Sequence, residues 1–193
     1  ERALNYGFTG PNLRAAGVDY DVRVAEPYSS YEDFEFKIPV GTVGDVYDRF
    51  MVRNGEIWES VSIIHQALEK IAKIEQEFPD QKNVFYAKEA DKFHIPAKED
   101  VYTKMEALIW HFKMIMGEID ALPGEVYHAV EGGNGEVGYY LISDGGRSPY
   151  RLHFRRPCFI YYQAYPEMVE NGLLSDAIIT LSSLNVIAGE LDA

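Results

Sequence analysis

The residues best placed for chemistry are basic ones in an acidic chain. Arg151, Arg155 and Arg156 gather within Gly135–Phe159, although the 193-residue chain carries a formal net charge of −13. Val137–Ser143 alternates as a strand, Asp144-Gly145-Gly146 reads as a turn, and Tyr150–Arg155 reads as a second strand running into a helix opened by Pro157. Arg151 and Arg155 lie four residues apart on that strand, so they share one face of the hairpin. Two guanidiniums there can pair with the late carboxylates Glu190 and Asp192, or favour electron uptake by a nearby acceptor. Plain surface ion pairing accounts for the same pattern, and the spacing leaves both readings open.

Other candidate chemistry is weaker. The loop Glu131-Gly-Gly-Asn-Gly-Glu136 lacks the Gly-Lys-Ser/Thr ending of a phosphate loop and joins two strands, so it reads as a hairpin turn whose glycines supply positive φ. His65, His94, His111, His128 and His153 form no HExxH motif and no i, i+4 pair, which predicts packing and hydrogen bonding rather than a metal site. The acid pairs Asp45/Asp48, Glu56/Glu59 and Glu75/Glu77 read as solvated helix faces. Glu190 and Asp192 stand apart, because they follow an apolar helix; a frayed, solvated terminus is the plain alternative. The single cysteine, Cys158, excludes an internal disulfide and any thiolate cluster made by this chain alone. It reads as a small apolar residue beside Pro157. One cysteine and no signal-like start suggest a reducing, intracellular setting.

Composition narrows the class. Hydrophobic content of 47% and charged content of 25% are those of an ordinary globular protein. The acidic balance argues against nucleic-acid binding and against direct contact with anionic lipid. No apolar run approaches the ~20 residues that span a bilayer, so any membrane role comes through partners. The length suits one domain or part of a larger one. Beginning at Glu1 within an apparent segment, the chain reads as a fragment or a processed product.

The elements that must position these residues follow from periodicity. Residues 1–41 show no long helix: Asn12–Ala16 reads as a short helix ended by Gly17, Tyr20–Val24 as a strand, and Tyr28–Phe36 as an extended surface segment. Phe50, Ile57, Val61, Ile64, Leu68 and Ile71 then form one helical stripe over residues 42–78, with Thr42 and Asp45 resembling a capping box and Gly55 as a weak point. Residues 79–100 read as a polar, lysine-rich excursion. Val101, Met105, Leu108, Phe112 and Ile115 mark a second helix over 100–117. Two such stripes cannot bury each other fully, which predicts a bundle with members outside this chain. From residue 124 to 156 the period becomes two, giving an antiparallel β-meander. Short helices near Pro157–Glu170 and Leu173–Leu184 and a tail close the chain. The fold class is α+β, with residues 1–193 forming the C-terminal portion of a single larger domain.

Several segments together carry a resemblance. They are Phe8–Gly17 with Tyr20–Arg23, Pro27–Phe36, Gly44–Arg49 with Arg53, Gly135–Gly145, Pro149–Arg151 with Arg155 and Pro157, and Ser183–Asp192. Over nearly its whole length the chain resembles the C-terminal part of the 49-kDa-type (D-type) family, the hydrogenase-derived quinone-site component of NADH–quinone oxidoreductase, respiratory complex I. The resemblance implies an incomplete long-helix bundle, hydrogenase large-subunit-like, with a peripheral β-meander. It implies no cofactor held by this chain, with NADH, FMN and iron–sulfur clusters in partner subunits and quinone as substrate at a shared cavity. The B, C, H and I components of complex I are the implied partners, and electron arrival at the cavity is coupled to proton pumping elsewhere. The implied location is peripheral, on the cytoplasmic face of a bacterial inner membrane, or the matrix side in mitochondria. By alignment of the tail, Asn185, Ile187, Glu190 and Asp192 fall on cavity or cluster-side positions, with Arg151 and Arg155 as structural anchors. The sequence departs from the pattern at Asn185, where Asp is common, at Ala193, where Arg commonly ends the chain, and at Tyr161, where His is frequent. The family's quinone-contacting His and Tyr belong to an N-terminal half that is not in this sequence.

Two alternatives are weighed against that reading. A true nickel–iron hydrogenase large subunit needs paired CxxC motifs, and Asn185-Val-Ile-Ala188 stands where the C-terminal pair would be. A non-catalytic docking or assembly module would expose an apolar helix stripe and show no activity in isolation.

Overall fold

Short helices occupy more of the N-terminal region than its periodicity suggests. The computed structural model describes residues 1–77, 95–116, 121–146 and 148–192. Within the first 41 residues lie α1 (Arg2–Tyr6), α2 (Gly10–Ala15), α3 (Val22–Ala25) and a single 3-10 turn at Tyr31–Asp33. Tyr20–Val24 is therefore not a strand. Asp21 caps α3, its Oδ1 accepting the Arg23 backbone N–H at 2.9 Å, and the Arg23 guanidinium folds back onto the same carboxylate at 2.7 Å. A strong N-cap overrides a short alternating pattern.

Helix α4 (Val46–Glu77) realises the long stripe but starts later than Thr42. Asp45 is the capping side chain, with Oδ1 accepting from Asp48 N–H at 2.8 Å. The Asp48 carboxylate in turn accepts the amides of Val43, Thr42 and Gly44, which hold it below its ordinary pKa. Gly55 is explained by packing, since an added Cβ would stand 3.0 Å from the Pro39 ring. Phe50, Ile57, Ile64 and Leu68 on the stripe are each more than half exposed.

The second periodic stretch is two helices, α5 (Lys98–Thr103) and α6 (Met105–Met116), parted at Lys104. Thr103 Oγ1 donates to the Glu99 carbonyl at 2.8 Å and Lys104 turns extended, so a local side-chain bond competes with helix continuation. Residues 79–94 of the expected excursion, His94 included, lie outside the described residues, as do residues 78 and 117 and Ala193. Strands β1 (Gly124–Gly132), β2 (Gly135–Ser143) and β3 (Arg151–Arg155) form the expected antiparallel meander in the order β1-β2-β3. Three helices follow: α7 (Pro157–Val169), α8 (Leu174–Leu184) and α9 (Ala188–Asp192).

The chain divides into two compact units, one of Glu1–Lys70, Tyr127–Tyr140 and His153–Ala193, the other of Ile71–Val126 and Leu141–Leu152. In the second, α5 packs on α6. In the first, Phe8, Leu13, Tyr161, Ala164 and Leu184 form the apolar core. Beside this core lies a charged one. Arg14 is 1% exposed. Its Nε and Nη2 donate to Glu56 Oε1 at 2.9 and 2.6 Å, and its Nη1 to Glu131 Oε1 and the Tyr20 carbonyl, each at 2.9 Å. Asp21 Oδ2 lies 3.3 Å from the same Nη1. Glu56 is thus not on a solvated face.

Burial disfavours the charge on Arg14, yet its carboxylates hold its pKa above the ordinary value. Burial also opposes ionisation of Asp21, but the hydrogen bonds and charge of Arg23, with the charge of Arg14, hold it below its ordinary value. Burial pushes Glu131 the other way, upward, with Arg14 offsetting only part of the effect and Asp21 adding to it. Removing Arg14 strands buried carboxylates, so Arg14→Met is expected to cost about 3–5 kcal/mol in thermal or denaturant unfolding. Glu131 binds its proton more tightly folded than unfolded. Wild-type stability therefore falls as pH rises from the ordinary Glu range through the raised value. Glu131→Gln lacks that loss, so its stability relative to wild type is expected to improve across this window.

Candidate functional site

The site forms where α7 begins, because three distant pieces of backbone meet there. Tyr161, fully buried on α7, places its hydroxyl 2.5 Å from the Thr9 carbonyl and 2.6 Å from that of Asn134, so one phenolic proton serves two acceptors. Burial pushes its pKa up to about 12. The Thr9 hydroxyl accepts from the Glu136 N–H and from Arg155, leaving its own proton for the Tyr161 oxygen at 3.4 Å. Gly10 (φ +61°) and Gly135 (φ +133°) permit the approach: a Cβ on Gly10 would stand 2.2 Å from Gly135 Cα, and one on Gly135 would stand 2.3 Å from the Tyr161 hydroxyl. The Gly-Gly-Asn-Gly loop is a hairpin turn, as its context suggests, but Gly135 alone of its glycines has positive φ, and its Asn134 is also part of the site.

Cys158, the second residue of α7, is wholly buried. Its Sγ accepts from Asn134 Nδ2 at 3.3 Å and lies 3.7 Å from the Asn185 carbonyl. Burial first, then Glu190, pushes the thiol pKa up to about 11. The tail closes over this point. Asn185 ends α8 in the left-handed conformation (φ 56°, ψ 47°) and donates from Nδ2 to Asn134 Oδ1 at 2.6 Å. Glu190 Oε1 accepts the Cys158 backbone N–H at 3.0 Å, which places a carboxylate on an unpaired amide of α7's first turn, where a helix favours negative charge. Glu190 is therefore a half-buried capping group on α9. Asn185, Ile187 and Asp192 are exposed.

The arginines do different work from one another. Arg155 donates to the Glu136 carbonyl at 2.7 Å, the Gly7 carbonyl at 2.9 Å and Thr9 Oγ1 at 3.2 Å, so it fastens the N-terminal segment to the sheet. Arg151 is exposed and makes no hydrogen bond or ion pair among the described residues. Arg156 occupies the N-cap position of α7 without a side-chain capping bond, and its guanidinium lies 5.1 Å from the Phe159 ring. The cations beside the tail are instead Arg49, which is buried, and Arg53, which is partly buried, both on α4. Arg49 Nε donates to Ser183 Oγ at 2.9 Å, and Arg53 Nη1 to the Ser183 carbonyl at 2.7 Å. Burial lowers the pKa of both. Arg53, Ser183 and Asn185 border an open cleft of about 860 Å³ walled by Tyr47, Phe50 and Ile179.

Chemically, the arrangement offers one ordered carboxylate, one polar carboxamide at a cleft and no reactive thiol. Among the described residues no group of His, Cys, Asp and Glu gathers to hold a metal ion. Thr9, Asn134, Arg49 and Arg53 belong to the site although no motif in the sequence marks them as site residues. Arginine at i and i+4 on one turn of a helix is the signal that could have exposed the last two.

Comparison with known proteins relates the whole chain to one family. The family described as "Respiratory-chain NADH dehydrogenase, 49 Kd subunit" matches residues 1–193. The NADH-quinone oxidoreductase D 2 subunit of Cytophaga hutchinsonii is 69% identical over the whole chain, which covers 47% of that protein. The D subunit of Flavobacterium psychrophilum is 68% identical, with 45% of its length covered. The C/D subunit of Bdellovibrio bacteriovorus is 45% identical over 98% of the chain and 32% of its own length. The chain thus spans a little under half the length of the two D-type relatives it matches.

Tyr161→Phe leaves two buried carbonyls without their donor and is expected to cost about 1–3 kcal/mol in unfolding experiments. With its thiol pKa at about 11, native Cys158 is expected to resist iodoacetamide at mildly alkaline pH and to react on unfolding.

Proposed function

The chain belongs to the 49 Kd subunit family of respiratory-chain NADH dehydrogenase, and from that premise we propose that it lines the quinone cavity of NADH–quinone oxidoreductase, next to the terminal iron–sulfur cluster of a neighbouring subunit. The observation that carries this reading is the docked tail. Glu190 is held against the start of α7, Asn185 is fastened to Asn134 while part of it stays exposed, and Ile187 and Asp192 are exposed. An ordered tail presenting polar and apolar groups suits a wall of a shared cavity better than a frayed terminus does. Glu190 supplies fixed negative charge there, and Asn185 a neutral hydrogen-bonding group at the cleft.

In this reading the chain holds no cofactor. Its lone thiol is engaged by Asn134 and Asn185, so the cluster is assigned to the neighbouring B component, and NADH and FMN to more distant members of the complex. The C component as a neighbour is supported by the relative whose name joins C and D; H and I complete the proposed surroundings. No helix among the described residues is long and apolar enough to cross a membrane, and we place the chain peripherally on the cytoplasmic face of a bacterial inner membrane. The exposed stripe of α4, with Ile57 and Leu68 each more than half accessible, favours an additional docking role within the larger bundle. The nickel–iron alternative is disfavoured, because one cysteine cannot supply paired thiolates.

Glu190→Gln in the full-length protein, within the assembled complex, is expected to lower quinone reductase activity about three- to tenfold, as loss of a charge-assisted contact would. Assembly should be intact. Unchanged activity would remove Glu190 from the site.

A further inference from the structure

Arg49 and Arg53 are an unusual pair. They stand one turn apart on α4, where like charges repel. Arg49 is 4% exposed, and Arg53 Nε is buried with no hydrogen-bond partner. Neither joins an ion pair among the described residues, unlike Arg14, which meets carboxylates. Placing one buried and one partly buried guanidinium side by side with no carboxylate in ion-pair contact is costly, and one donor of each goes to the same residue, Ser183.

That place is the end of α8. Arg49 Nε holds Ser183 Oγ, and its Nη1 ties the Gly44 carbonyl at 2.7 Å to the same cluster. Arg53 Nη1 takes the Ser183 carbonyl, and its Nη2 reaches Asn12 Oδ1 at 3.4 Å. Asn12 Nδ2 reaches the next carbonyl, Leu184, also at 3.4 Å. The last carbonyls of a helix lack intrahelical partners and carry its negative end, which cations complement. The residue that follows is Asn185, whose left-handed backbone turns the chain toward α9 and Glu190.

We propose that Arg49 and Arg53 are positioning residues that clamp the end of α8 and so fix where Asn185 and Glu190 stand in the quinone site. The assignment rests on the reading of the tail as cavity wall. It requires a planar fork with several donors in fixed directions, so lysine cannot replace arginine even though it keeps the charge.

The test is Arg53→Lys in the full-length protein within the assembled complex, with Ser183→Ala as a milder variant that removes the Arg49 acceptor. Quinone kinetics are measured alongside NADH oxidation by ferricyanide, and Glu190→Gln is assayed in parallel. The expected result for Arg53→Lys is a rise in the KM for quinone of about tenfold, with a smaller rise for Ser183→Ala and ferricyanide activity unchanged. Wild-type KM in Arg53→Lys, with quinone kinetics altered in Glu190→Gln, overturns the clamp and leaves the cavity reading standing. Parallel loss of both activities with loss of assembled complex also overturns it, as a merely structural effect. Unaltered quinone kinetics in all three assembled variants overturns the cavity reading itself.

Discussion

The buried guanidinium of Arg14 is the interaction on which the first unit depends. One side chain, 1% exposed, ties α2 to Glu56 on α4, to Glu131 on β1 and to Asp21 at the head of α3. Each of these elements is too short, or too exposed on its other face, to be held by apolar burial alone. Oppositely charged partners give the cluster its register, because a guanidinium accepts only a narrow set of carboxylate positions. The arrangement carries an imbalance: Arg14 and Arg23 face three carboxylates, and Glu131 bears the consequence in its raised pKa.

From that anchor the site follows in steps. Once α2 is fixed, Gly10 can lie against Gly135, and Tyr161 can bridge Thr9 and Asn134. Those contacts set the start of α7, whose second amide is the one Glu190 caps. Arg155 closes the same junction from β3 through Gly7 and Glu136. Charge is therefore used in two ways. Paired charges build the scaffold, whereas the cations near the tail bind uncharged oxygens, Arg49 the Ser183 hydroxyl and Arg53 the Ser183 carbonyl.

Much of this is legible in the sequence, though unevenly. The stripe from Phe50 to Ile71, the meander and the two closing helices follow from periods of 3.6 and two, which report the element type even where the stripe itself stays exposed. The cap of the long helix shifts from Thr42 to Asp45 because both are good capping residues, and only the backbone shows which one accepts the N3 amide. Tyr20–Val24 misleads because a five-residue alternation is weaker than the Asp21 cap. Glu56 is indistinguishable in sequence from its neighbour Glu59, since its partner Arg14 lies 42 residues away. The tail residues come from resemblance, not periodicity. The Arg49 and Arg53 contacts with Ser183 span more than a hundred residues, beyond the reach of any local pattern.

An ordered tail that borders the quinone must lie within reach of a reactive quinone headgroup. The most direct measurement is photo-crosslinking of a quinone analogue, with the reactive group on its headgroup, to the complete assembled complex, followed by peptide mapping. Label is expected on the segment holding Asn185, Ile187 and Glu190, displaced by excess quinone. Displaceable label confined to other segments, with none between residues 185 and 192, would contradict it.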